Sequence, residues 1–154
     1  MNKKRYESGR IIGINMSAKK GVKKKTIERA TVIENHGLFS DAHAGPWHRQ
    51  VSLLAFETTE ELRKRGLHIG PGDFAENLTS YGLDLKNLSK GSRLLIGSNV
   101  ILEVTQIGKE CHAACDIKRL TGDCVMPREG IFARVIKGGN IAVGDRILAI
   151  DGER

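Results

Sequence analysis

All three cysteines of the chain stand in one short stretch, E-C-H-A-A-C-D-I-K-R-L-T-G-D-C, as Cys111, Cys115 and Cys124. A thiolate is both a strong nucleophile and a soft-metal ligand, and nearby cations favour its ionised form. Lys109, His112, Lys118, Arg119 and Arg128 are all close in sequence. Taken singly, a free cysteine is by default a small buried hydrophobe, so it is the clustering that points to sulfur chemistry. Cys111 and Cys115 are four positions apart and share a face if residues 111–120 form the predicted helix. Cys124 follows Asp123, whose charge opposes thiolate formation.

Two further segments carry groups that bind or transfer protons. In D-A-H-A-G-P-W-H-R, Asp41, His43, His48 and Arg49 occupy a loop bounded by glycine and proline that runs straight into an apolar strand. Gly45-Pro46 between the histidines excludes the helical H-x-x-x-H geometry of many metal sites. The loop therefore reads as anion-binding or hydrogen-bonding, with backbone capping by Asp41 and His43 as the structural alternative. In P-G-D-F-A-E-N-L-T the Pro71-Gly72 turn predicts a strand with Phe74 on one face and Glu76 near the rim. Asn77, between apolar neighbours, needs hydrogen-bond partners wherever it is buried.

The elements that must position these groups are mostly short strands. Runs at 10–16, 26–34, 50–55, 100–107 and 146–150, separated by many of the 18 glycines, predict a β-rich sandwich or barrel. G-S-R-L-L-I from Gly91 echoes G-D-R-I-L-A-I from Gly144, as two strands of one barrel would. Residues 58–65 predict a short helix with a Thr58/Glu61 capping box, basic residues in its last turn and Gly66 as its stop, placed to plug or cover a barrel end. Lys19, Lys20, Lys23, Lys24 and Lys25 surround Gly21 and read as a solvated hairpin tip.

A length of 154 residues and 40% hydrophobic content suit one domain over 1–154 that needs no disulfide or metal staple. An odd cysteine count and a polar start from Met1 to Arg10 predict free thiols in a cytoplasmic protein. No apolar run approaches the ~20 residues that a membrane-spanning helix needs. The net charge of +7 calls for an anionic partner. One tryptophan, two tyrosines and four phenylalanines are few for stacking bases, which argues against nucleic acid.

Read together and in order, these motifs resemble a known family. D-A-H-A-G-P-W-H-R-Q-V-S-L-L, P-G-D-F-A-E-N-L-T, G-L-D-L, G-S-R-L-L-I-G, the cysteine segment, G-I-F-A-R-V-I-K-G-G and V-G-D-R-I are similar to the MOSC domain, named for the C-terminal part of molybdenum-cofactor sulfurases. The likeness spans roughly residues 10–150. It implies a mainly β, compact, barrel-like domain with a few short helices that binds the molybdenum cofactor (molybdopterin) or a related pterin. By the same resemblance, Asp41, His43, His48, Arg49, Glu76 and Asn77 are cofactor-binding residues, and Cys111 or Cys115 is the working thiol. Many members carry a single cysteine after proline, whereas here Glu110 precedes Cys111, so both thiols stand as candidates, with Cys111 ahead.

The cofactor's phosphate suits Arg49, Arg128, His43 and His48, and its metal suits a soft thiolate, with Cys111 as the candidate metal ligand. In fused relatives a pyridoxal phosphate-dependent desulfurase domain supplies the sulfur. This chain has no room for one, so pyridoxal phosphate would enter only through a partner cysteine desulfurase, with a molybdoenzyme as acceptor. Sulfur transfer and molybdenum-dependent reductive chemistry are both open at this point. Two rival readings are a zinc-stabilised barrel using Cys111, His112, Cys115 and Cys124, and a basic barrel that binds nucleic acid.

Overall fold

Period-two patterning carries the architecture. In the strand Val100–Ile107 the side chains of Val100, Leu102 and Val104 are buried and those between them are not, and in Arg146–Ile150 the buried pair is Ile147 and Ala149. The structure is a computed structural model that describes residues 7–20, 22–108 and 130–150. Its strands are β1 (Glu7–Met16), β2 (Lys25–Ile27), β3 (Arg29–Ile33), β4 (Gly37–Leu38), β5 (Val51–Ala55), β6 (Leu78–Tyr81), β7 (Arg93–Ile96), β8 (Val100–Ile107), β9 (Ile131–Lys137), β10 (Gly139–Ala142) and β11 (Arg146–Ile150). The predicted helix over 111–120, the three cysteines and Arg128 lie outside the described residues.

The main sheet runs β11-β7-β8-β9-β5-β6-β1-β2, and β1 returns to pair with β11 from Glu7↔Ala149 to Arg10↔Arg146. That pairing closes seven strands into the expected barrel, with β5 and β6 parallel and the other ring pairings antiparallel. Closure removes the open sheet edges that invite aggregation. The glycine-led echo is now explained: β7 and β11 are neighbours, paired from Ile96↔Ile147 to Arg93↔Ile150.

The run 26–34 is not one strand. It breaks at Glu28, so that β2 pairs with β1 at the end of the main sheet while β3 joins β10 and β4 in a flanking three-stranded sheet. The Glu28 carbonyl at the break accepts the Val143 N–H, so the corner is tied to the chain after β10.

Residues 58–65 differ from the expected capping box. A 3-10 turn over Phe56–Thr59 precedes α1 (Glu60–Lys64), and neither Thr58 nor Thr59 caps it with a side chain. Thr58 Oγ1 donates back to the Ala55 carbonyl, because the chain leaves β5 without a break and the hydroxyl finds that acceptor first. Nor does the helix close a barrel end. Leu62 packs with Leu54, Phe74 and Phe132, while their neighbours Leu53, Ile131 and Ala133 point into the barrel core. The helix therefore covers the outer face of the β5–β9 wall, which is why all five residues of β5 are buried. Among the described residues, no helix is long and apolar enough to cross a membrane.

The segment before β6 is a series of turns rather than the expected strand, and it turns on Gly72. This glycine has φ +88°, and a Cβ placed there would lie 2.4 Å from the Lys24 carbonyl oxygen. Gly66, with φ +89° after α1, has open space around it. Gly66→Ala is expected to cost about 1–2 kcal/mol, the left-handed backbone penalty alone. Gly72→Ala should cost clearly more, since the backbone must shift as well; chemical denaturation of the two variants checks the order.

Candidate functional site

Asp41 follows β4 and is carried inward where the loop folds onto the end of β1: Ala42 N–H donates to the Ser17 carbonyl at 2.8 Å. Its side chain is fully buried, and such a carboxylate needs a partner. The partner is Lys24. The Lys24 Nζ lies 2.7 Å from Asp41 Oδ1, and its side chain is also fully buried. Lys24 is therefore not part of the solvated tip expected for the lysine run. The tip turns back so that Lys24 N–H donates to the Gly72 carbonyl at 2.9 Å, directing the side chain into the domain.

Asp41 also accepts the Ser17 N–H on Oδ1 and the His43 N–H on Oδ2, each at 3.1 Å. Burial alone would push its carboxyl up. The hydrogen bond and charge of Lys24, then hydrogen bonds from the Asn77 side chain and Ser17, outweigh that and hold it below the ordinary aspartate value. Lys24 Nζ lies 3.1 Å from His43 Nδ1 as well. The histidine loop and the Asn77 segment, distant in sequence, thus meet at one carboxylate.

Asn77 is fully buried and its polar atoms are engaged. Its Oδ1 accepts from Ser52 N–H at 2.9 Å and Ser52 Oγ at 3.2 Å, and its Nδ2 donates to the Asn15 carbonyl at 3.2 Å. It laces β5 to β1. Glu76, expected near the rim, is only 1% exposed. Its oxygens accept from Gly72 N–H, Phe74 N–H and Thr79 Oγ1, at 3.2, 3.2 and 2.7 Å, because the turns before β6 wrap around the carboxylate instead of extending past it. Burial is the largest influence on Glu76 and pushes its carboxyl up, against the hydrogen bonds from Thr79 and the backbone. Glu76 and Asn77 are both buried, and they tie the loop and the strands together.

Exposed His48 and half-buried Arg49 flank Trp47. Trp47 Nε1 donates to the His43 carbonyl at 2.7 Å, which fixes the indole. The Arg49 guanidinium lies 4.7 Å from the Trp47 ring and 5.6 Å from that of Phe132, and Lys20 Nζ is 5.2 Å from the same indole. Arg49 Nε is buried without a hydrogen-bond partner among the described residues. His48 is exposed and its Nε2 lies 2.8 Å from Gln106 Oε1 on β8. Among the described residues, no three of His, Cys, Asp and Glu are grouped to hold a metal.

Sequence reasoning passed over Lys24, Lys20 and Gln106. Lys24 had one signal available: the Asp41 loop must bury its carboxylate if it packs, and it contains no lysine of its own. Asn15, whose side chain donates to the Glu76 carbonyl and to Thr79 Oγ1 and accepts from Thr26, gave none, since it sits in an otherwise apolar strand.

Among known families, the MOSC domain matches residues 40–148 of the chain. The sequence has no match among curated proteins. In fold, it is similar to the YuaD protein from Bacillus subtilis, with a TM-score of 0.81 at 19% identity, covering 98% of this chain and 100% of that one. It is also similar to YiiM from Geobacillus stearothermophilus, with a TM-score of 0.69 at 18% identity over 93% and 75% of the two chains. YiiM from Escherichia coli gives 0.65 at 16% identity over 98% and 72%.

Removing one member of a buried ion pair leaves the other charge stranded. Lys24→Met is therefore expected to lower folding stability by about 3–5 kcal/mol at neutral pH, and Lys24→Met/Asp41→Leu to lower it less, as urea denaturation would show. The pH signs of the two carboxyls are opposite. The stability from Asp41 is fully present above its unfolded value, about 3.9, and is lost as pH falls through the depressed folded value. That from Glu76 is present below about 4.3 and is lost as pH rises through its raised value.

Proposed function

We infer function from one premise: this chain belongs to the MOSC domain family. We propose that it binds the molybdenum cofactor (molybdopterin) or a related pterin, and that Cys111 or Cys115 handles sulfur or the metal centre. The observation that carries the reading is Arg49. Its guanidinium lies near two aromatic rings, its Nε has no hydrogen-bond partner among the described residues, and Lys20 shares the Trp47 ring. Rings position a guanidinium without satisfying its in-plane donors, and an oxyanion does satisfy them.

The donor set suits the cofactor. Arg49, Lys20 and His48 form the anion-binding face, His43 stands behind it, and Asp41, Glu76 and Asn77 hold the loops in place. Arg128 is assigned to the same anionic end. When bound, the cofactor supplies a metal centre that accepts a soft thiolate ligand. The chain's own part is to bind the phosphate, limit water and present a deprotonated sulfur. A thiolate that receives sulfur as a persulfide takes it from a partner cysteine desulfurase carrying pyridoxal phosphate, and a molybdoenzyme is the acceptor; we place these encounters in the cytoplasm.

Expression in cells that make the cofactor should yield protein with a bound pterin, detected by fluorescence after oxidation and release. Arg49→Ala should lower retention roughly tenfold to a hundredfold, the worth of one or two charge-assisted hydrogen bonds. A clean absence of pterin with cofactor present in the lysate, or near-stoichiometric zinc in its place, would overturn the reading.

Brief iodoacetamide treatment followed by mass spectrometry tests the thiol. Cys111 or Cys115 should label clearly faster than Cys124, and Ser in place of the fast one should abolish chemistry while the fold is retained. Equal labelling of all three would assign the cysteines to packing.

A further inference from the structure

The positive charge of this chain is concentrated in one place. Residues 19–25 hold five lysines and no acid, while the rest of the chain carries 20 cations against 18 acids, so the hairpin after β1 supplies five of the seven excess charges. Lys24 turns inward to Asp41. Lys19, Lys20, Lys23 and Lys25 are exposed, and among the described residues a carboxylate comes within ion-pair range of just one of them, Asp73 at 3.9 Å from Lys23. Like charges gathered this closely repel one another, and an anionic partner relieves the repulsion.

The hairpin is held at both ends. At its start, Ser17 Oγ accepts the Lys19 N–H at 3.1 Å and donates to the Lys19 carbonyl at 2.9 Å. At its end, Lys24 N–H donates to the Gly72 carbonyl, and the buried ion pair closes the root. Its main chain therefore needs little further ordering when a partner binds. An apolar group stands beside it. Phe39 is 61% exposed and lies two residues before Asp41, within ~7 Å along the chain of the residue that anchors the hairpin. An exposed aromatic ring with a charged rim is the composition of a protein–protein contact. Nucleic acid fits less well, because single strands are gripped by successive stacked rings. Trp47 is already faced by Lys20 and Arg49. Tyr81, 56% exposed, pairs with Arg10, ~20 Å along β1 from the end that leads into the hairpin.

We propose that Lys19, Lys23, Lys25 and Phe39 form a docking surface for a protein segment in which carboxylates flank apolar side chains. The carboxylates meet the lysine rim and speed the encounter, and the apolar side chains cover Phe39. Lys20, over the Trp47 ring, places this surface at the edge of the Arg49 face. The proposal does not rest on the cofactor reading, since none of its four residues belongs to that face.

Fluorescence anisotropy of a labelled peptide of Glu and Asp around a central Leu-Leu pair, titrated with the full chain, tests it. The peptide should bind, and more weakly as salt rises. Lys19→Glu/Lys23→Glu/Lys25→Glu should weaken binding roughly thirtyfold or more. Lys90→Glu/Lys137→Glu/Arg146→Glu, which changes net charge equally at exposed sites elsewhere, should alter it less than about threefold. Phe39→Ser should weaken it about tenfold, by the same factor at low and at physiological salt. Should the charge-reversed hairpin fail to fold by circular dichroism, Lys19→Gln/Lys23→Gln/Lys25→Gln against Lys90→Gln/Lys137→Gln/Arg146→Gln gives the same contrast. No peptide binding at low salt, equal losses in the two triple variants, or unchanged binding in Phe39→Ser would overturn the proposal. Tighter binding of a single-stranded oligonucleotide, or of phosphatidylglycerol vesicles, would overturn it in favour of nucleic acid or a membrane.

Discussion

A lysine and an aspartate taken wholly out of water lose several kcal/mol of solvation each, and only a close, well-aligned contact repays it. The Lys24–Asp41 pair meets that condition at 2.7 Å, with further donors from Ser17 and His43 on the same carboxylate. The participants come from the end of β1, the hairpin that follows it, the loop after β4 and the segment before β6. Neither the hairpin nor the loop after β4 can move away without stranding a charge. The pair is thus the constraint that brings the hairpin, the histidine loop and the Asn77 segment to one place.

Around that pair runs a polar seam through an otherwise apolar barrel. Asn15, Ser52, Glu76, Asn77 and Thr79 are all buried, and each meets another of the set or its backbone. Asn77 stands where β5, β6 and β1 come together and supplies hydrogen bonds to its neighbours on both sides. Apolar burial would drive collapse of such a barrel in several registers, whereas buried donors and acceptors are satisfied in few. The seam therefore specifies the register that the Leu and Ile core stabilises.

Outside the seam the chemistry changes character. The network around Asp41 is internally satisfied, whereas Arg49, Lys20 and Trp47 form a cationic and aromatic face whose charge is met by rings. A net charge of +7 gives the whole chain a field that favours anions.

The sequence by itself determined the class of fold and the segments that matter. Strand patterning, glycine spacing and the echo of Gly91 and Gly144 led to a barrel, and the echo proved to be two adjacent strands, because period-two burial is a local property of the chain. The motif order led to the family in the same way. What only tertiary structure decided was which polar residues are tools and which are supports. Glu76 and Asn77 looked like ligand-facing groups and are buried supports, while Lys24 looked like one of five solvated lysines and is the buried partner of Asp41. The helix signal at Thr58 gave way to a nearer carbonyl at Ala55. For Lys24 and Asn77 the deciding contact is with a group that the local pattern does not specify. Burial and charge pairing depend on residues 17 to 62 positions away, as between Asp41 and Lys24 or Asn77 and Asn15.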